Sequence, residues 1–115
     1  GICCGKTNFN IPDPEFMNFF DKPEAYKPPM GAEGIDELKA RTGDFLHEIV
    51  HNKNMENDTI LVSTHGAALR GLLSYINGIE LKDFWKGGVH KNCAVTIVDV
   101  NDGRAVIIEE GRTYY

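Results

Sequence analysis

The stretch TILVSTHGAALRGLL, residues 59–73, decides how the chain is read. Ile60, Leu61 and Val62 form an apolar run that breaks at Ser63, Thr64, His65 and Gly66, then resumes at helical spacing through Leu69, Leu72 and Leu73. This pattern predicts a buried strand, a tight turn and a helix. A parallel strand ending in such a turn sends the helix back over the sheet. His65 and Gly66 then sit at the carboxyl end of the strand, where open α/β sheets bind their ligands. The first N–H groups of the helix lack internal partners and carry the positive end of its dipole, which favours an anion. Gly66 lets a ligand approach the backbone closely. His65 is therefore placed to donate a hydrogen bond to a phosphate or carboxylate. A histidine after a strand also has a plainer reading, as a hydrogen-bonded surface residue, and spacing by itself names no reaction.

Upstream, residues 1–30 are rich in proline, asparagine and aromatics. Pro12, Pro14, Pro23, Pro28 and Pro29 forbid a long helix there. Glu15 to Phe20 still fit a short one, with Phe16, Phe19 and Phe20 packed inward. The longest helical pattern follows, with Ile35, Leu38, Phe45, Leu46, Ile49 and Val50 on one face. Glu33 and Asp36 fall near its first turn, where negative charge suits the dipole. His47 and His51, four residues apart, share a helix face; they lack a third metal ligand and read as solvated side chains.

Downstream of residue 73, Asn77 and Gly78 signal a helix stop, and residues 79–85 suit a short helical turn. Phe84 and Trp85 are expected to cover the core, and His90, in a glycine-containing loop, to be exposed. Arg70, one turn into the helix after His65, is expected to point to solvent or to another helix. Residues 94–100 and 105–109 read as strands joined by Asn101, Asp102 and Gly103, a strong hairpin signal.

Composition narrows the classes. The chain has 115 residues, 42% of them hydrophobic, enough for one modest core. A formal charge of -5 leaves no basic footprint for nucleic acid or an anionic membrane surface. No apolar run is long enough to span a bilayer, and the first residues lack the features of a signal peptide, so a cytoplasmic protein is expected. Cys3, Cys4 and Cys93 are odd in number and lack metal-site spacing, which suits reduced thiols.

Leu61 to Gly66, with the continuation Ala67 to Leu73, closely resembles the second-histidine segment of the histidine phosphatase superfamily, which includes cofactor-dependent phosphoglycerate mutases and alpha-ribazole phosphatases. Residues 1–5 resemble the end of that family's glycine and acid motif, residues 19–38 the segment leading into its GGES helix, and Phe84, Trp85, residues 92–100 and residues 102–104 its closing strands. The resemblance covers the whole chain and implies a phosphoglycerate mutase-like three-layer α/β/α fold with a mainly parallel sheet and an antiparallel edge pair. It implies incompleteness too. The family's nucleophile is a histidine in an Arg-His-Gly motif, and nothing here reads RHG; His65 follows Thr64, so it cannot stand in. The family's usual general acid, a glutamate, would precede Gly1. Residues 1–115 are thus expected to be the C-terminal portion of one histidine phosphatase domain.

The resemblance also assigns roles. The intact enzyme would act on a small phosphorylated metabolite through a phosphohistidine. His65 would be the second, phosphate-binding histidine, with the N–H groups of Gly66 and Ala67 helping, and no metal or other cofactor is required. The family places a glutamate near the substrate mouth at the position of Glu33, so substrate contact stands beside helix capping as a reading of that residue. A half-domain would also expose sheet edge and apolar surface, which leaves a non-catalytic alternative: a binding module that meets another copy or the missing half.

Overall fold

The computed structural model describes residues 17–115. The readings for Cys3, Cys4, Pro12, Pro14, Glu15 and Phe16 lie outside these residues. In chain order the elements are α1 (Asn18–Asp21), α2 (Ile35–Val50), α3 (Gly66–Asn77), and the strands β1 (Val95–Asn101) and β2 (Arg104–Arg112). Single 3-10 turns stand at Pro23–Ala25, Lys53–Met55 and Leu81–Asp83.

The start of α2 is set by Glu37, whose carboxylate accepts the Gly34 N–H at 3.1 Å. This is the backward half of a capping box, since glycine has no side chain to supply the other half. Glu33 therefore lies outside the helix and does not cap it. The buried face of α2 is Ile35, Leu38, Thr42 and Gly43. Phe45, expected on that face, is 44% exposed. Its place at the helix contact is taken by small residues. A Cβ on Gly43 would fall 2.4 Å from the Tyr75 ring, and one on Gly71 would fall 2.7 Å from Thr42 Oγ1. The two helices therefore meet backbone to side chain, and a bulky residue at the crossing would hold them apart.

The core is small. Ile35, Leu38 and Phe84 are buried together, with Phe19, Tyr26, Ala67, Ala68, Leu81 and Trp85 packed around them. Phe84 is 0% exposed, and Trp85 stands edge-on to it at 4.9 Å, so this pair covers the core as expected. Trp85 Nε1 donates to the Phe19 carbonyl, which anchors α1 against the same cluster. Phe19 is turned inward, whereas Phe20 is 40% exposed and rests on Trp85.

Helix α3 stops at Gly78, in the left-handed region at φ 62°, with its N–H bonded to Ser74 and Tyr75 carbonyls. The hairpin forms as the sequence predicts. Asp102 and Gly103, at φ 50° and 75°, make the two-residue turn whose twist matches the strands. Pairing runs from Asn101 opposite Arg104 to Val95 opposite Arg112, with irregularities on either side of Ile97.

The buried strand expected at Ile60, Leu61 and Val62 is not formed among the described residues. Residues 59–63 form no strand, and β1 and β2 are the whole sheet, antiparallel and two-stranded. A strand exists only through hydrogen bonds to a neighbour, and no described segment pairs with these residues. Leu61 is 92% exposed and Ile60 and Val62 about half that, so the apolar run carries the composition of a buried strand without being buried. No helix among the described residues is long and apolar enough to cross a membrane.

Candidate functional site

His65 is the N-cap of α3. Its backbone is extended, at φ -109° and ψ 164°, and its carbonyl accepts the Leu69 N–H at 2.8 Å, the first bond of the helix. The N–H groups of Gly66, Ala67 and Ala68 lie ahead of that bond and face outward from the helix end. The His65 side chain is exposed and makes no capping hydrogen bond, so its imidazole is available to a ligand. No acidic residue stands in the first turn to compete for the positive end of the dipole. Imidazole and helix start thus meet as predicted, although no paired strand leads into the turn.

Glu33 is not joined to this group by any hydrogen bond or ion pair. Its carboxylate takes a two-pronged contact from Arg41, Nε at 2.7 Å and Nη2 at 2.9 Å, on the exposed side of α2. The hydrogen bond from Arg41 holds the Glu33 carboxyl below its usual range, with the charge of the same guanidinium adding to it.

Two side chains beyond this group, Arg70 and His90, differ from expectation, and a third, Val89, touches the helix start. Arg70 is only 3% exposed. Its Nε donates to the Phe84 carbonyl at 3.0 Å and its Nη2 to the Lys86 carbonyl at 2.6 Å, while Nη1 lies 3.6 Å from Glu110 Oε1 on β2. A buried guanidinium persists only when its donors and charge are met, and two carbonyls and a carboxylate meet them. The spacing held the clue: Arg70 falls three residues from both Ala67 and Leu73, on the inward face of α3, so it could not point to solvent. His90 is likewise largely covered, its side chain 12% exposed. Its Nε2 lies 3.2 Å from Glu110 Oε1, and since a carboxylate only accepts, the proton sits on Nε2. Its Nδ1 is buried without a partner. Nothing in the local pattern marked His90, because Glu110 comes from a strand 20 residues away. The third side chain, Val89, rests on Gly66 itself.

His47 and His51 share a face of α2 as their spacing requires, with ring centroids 4.1 Å apart, and His51 Nδ1 donates to the His47 carbonyl at 3.0 Å. They line an open cavity of about 510 Å³ together with Leu46, Tyr75 and Arg104. That cavity contains none of His65, Gly66, Ala67 or Glu33. Cys93 is exposed and forms no disulfide.

His65 is thus an exposed histidine at the start of a helix whose first turn holds no acid. The sequence matches the family model of the histidine phosphatase superfamily (branch 1) over residues 1–112, and the chain belongs to that superfamily. Among curated proteins it is similar to Phosphoserine phosphatase 1 of Hydrogenobacter thermophilus (strain DSM 6534 / IAM 12695 / TK-6), 27% identical over 79 residues. That match takes in 69% of this chain and 36% of the relative. Among solved structures it is similar to Bacillus stearothermophilus YhfR, with a TM-score of 0.85 and 28% identity. That likeness covers 95% of this chain and 54% of the other. The chain therefore spans about a third of one relative's length and about half of the other's.

Proposed function

We propose that this chain carries the second, phosphate-binding histidine of a phosphomonoester hydrolase or phosphoryl transferase, and that the nucleophilic histidine comes from polypeptide beyond these 115 residues. The observation that carries the reading is His65, exposed and uncommitted at the acid-free start of α3. In the reaction, the nucleophile attacks phosphorus and the ester oxygen leaves with a proton from a general acid. Water or a second hydroxyl then takes the phosphoryl group from the phosphohistidine and gives its proton to the conjugate base of that acid. Charge on the phosphoryl oxygens must be held in place throughout, so fixed donors are most of what the protein contributes. His65 donates one N–H to a phosphoryl oxygen and the amides of Gly66 and Ala67 donate others. Glu33 is held ionised by Arg41, and a role beside the substrate requires that this pair open or that the substrate meet it from outside. On this reading the chain is the C-terminal portion of a three-layer α/β/α domain, and residues 59–63 become a central parallel strand once neighbouring strands pair with them. The substrate class is a small phosphorylated metabolite, and the phosphoserine phosphatase among the relatives makes amino-acid phosphates a natural first panel.

The test has two arms. Inorganic phosphate titrated into the chain shifts the amide resonances of Gly66 and Ala67, and His65→Ala abolishes the shifts. In the enzyme that carries both histidines, the same substitution lowers kcat on p-nitrophenyl phosphate by about 10²–10³, the usual loss on removing one donor to a developing anion. Robust turnover by the 115-residue chain alone would refute the division of labour between the two histidines.

A second reading is favoured by one observation, the 92% exposure of Leu61 between two half-exposed apolar neighbours. An apolar, unpaired segment is a template for another chain, so the protein would act as an assembly module that binds a second copy or the rest of the domain. Sedimentation decides it: a monomer whose behaviour is unchanged by Leu61→Glu leaves no such module.

A further inference from the structure

Val89 touches the first residue of α3. A Cβ built on Gly66 would lie 2.9 Å from Val89 Cγ1, closer than bonded-carbon substituents pack, so a glycine is what lets the valine rest on that backbone. The same valine is 57% exposed. An apolar group that both touches the helix start and faces solvent borders whatever binds the amides of Gly66 and Ala67. We propose that Val89 is a specificity-determining residue: the organic part of a phosphomonoester held at His65 lies against it. Esters whose alcohol presents aromatic or aliphatic carbon are thereby favoured over small polar ones. This inference rests on the phosphate reading of His65 and adds to it the side of the site that faces the leaving group.

A valine on a loop discriminates only if the loop is fixed, and this one is tied from beneath. Gly87 and Gly88, at φ 95° and 76°, bend the chain where a side chain would be strained, and the Gly88 N–H bonds the Trp85 carbonyl at 2.9 Å. Arg70 holds the carbonyls of Phe84 and Lys86, the two residues before and at the base of that bend. On the far side of Val89, His90 is bonded to Glu110, the carboxylate that Arg70 also faces. Val89 thus stands between two anchored points, both reached from α3 through one buried guanidinium. Arg70 is a positioning residue on this account, since it meets the loop and not the ligand.

The test uses the full chain with inorganic phosphate, methyl phosphate and phenyl phosphate as probes, followed at the Gly66 and Ala67 amides. The wild type binds phenyl phosphate about fivefold more tightly than methyl phosphate, as expected for covering a few tens of Å² of apolar surface. Val89→Ser brings that ratio close to one and leaves the affinity for inorganic phosphate unchanged. Being at an exposed position, that variant keeps the fold. Arg70→Lys keeps the charge but not the two-carbonyl grip, and it lowers the same ratio while the His65 and Gly66 resonances persist. An unchanged phenyl-to-methyl ratio in Val89→Ser, with inorganic phosphate still bound, overturns the proposal. Absence of any phosphate binding by the wild type overturns instead the reading of His65 on which it stands.

Discussion

Thr42 of α2 and Gly71 of α3 face each other so closely that a Cβ on Gly71 would lie 2.7 Å from Thr42 Oγ1 and 3.3 Å from its Cγ2. Thr42 is held in place by its own hydroxyl, which bonds the Leu38 carbonyl at 2.9 Å, so it cannot swing aside cheaply. Gly71→Ala therefore destabilises the protein by about 1–2 kcal/mol, an overpacking cost partly offset by the better helix propensity of alanine. Urea unfolding checks this. Combining it with Thr42→Ala restores most of the loss, because the second change opens the space the first one fills.

At the other end of α3, His65 occupies a capping position without capping. Asp at that position accepts a bond from the helix start and suits the dipole, so His65→Asp stabilises the protein by about 0.5–1 kcal/mol. The same change places a fixed negative charge where phosphate is proposed to bind. Thermal unfolding and inorganic phosphate titration should move in opposite directions, stability up and binding lost. A gain in stability with phosphate binding intact would remove His65 from the site.

The Glu33 and Arg41 pair makes a pH prediction with a definite sign. Because the folded-state pKa of Glu33 is lowered, chiefly by the hydrogen bond from Arg41, the pair contributes stability that is fully present above the ordinary glutamate value. That contribution is lost as pH falls through the depressed value. Both side chains are substantially exposed, so water and salt screen the pair and the effect on stability is small. The titration itself is the sharper measure. Arg41→Gln raises the Glu33 midpoint toward its usual value in carbon-detected NMR, and the difference narrows at high salt.

The hairpin turn is sensitive at one position and tolerant at its neighbour. Gly103 sits at φ 75°, and an added Cβ would lie 3.2 Å from His51 Nε2. Gly103→Ala costs about 1–2 kcal/mol from the left-handed backbone alone. Asp102→Asn, at φ 50°, is neutral or slightly stabilising, since asparagine tolerates that region well. Circular dichroism melts of the two variants distinguish them.

Much of the scaffold was legible because it depends on neighbours in the chain. The hairpin at Asp102 and Gly103, the stop at Gly78 and the placing of His65 at a helix start all follow from local backbone preference, which a short window of sequence encodes. The inward face of α2 was partly legible: Ile35 and Leu38 are buried, but Phe45 is not, because Gly43 and Gly71 bring the helices together where periodicity alone would place a large side chain. The strand expected at Ile60, Leu61 and Val62 has the right composition and no neighbour among the described residues to pair with.

By itself, then, the sequence determined the two long helices, the stop at Gly78, the hairpin turn and the histidine set at the start of α3. Only the tertiary structure decided how the loop after α3 is held. Arg70, Glu110 and His90 come together from α3, a loop and a strand up to 40 positions apart, and Val89 of that loop lies against Gly66. Local preference acts through a few adjacent bonds and can be read along the chain. The pairing of a buried charge is settled by whichever carbonyls and carboxylates folding delivers to it.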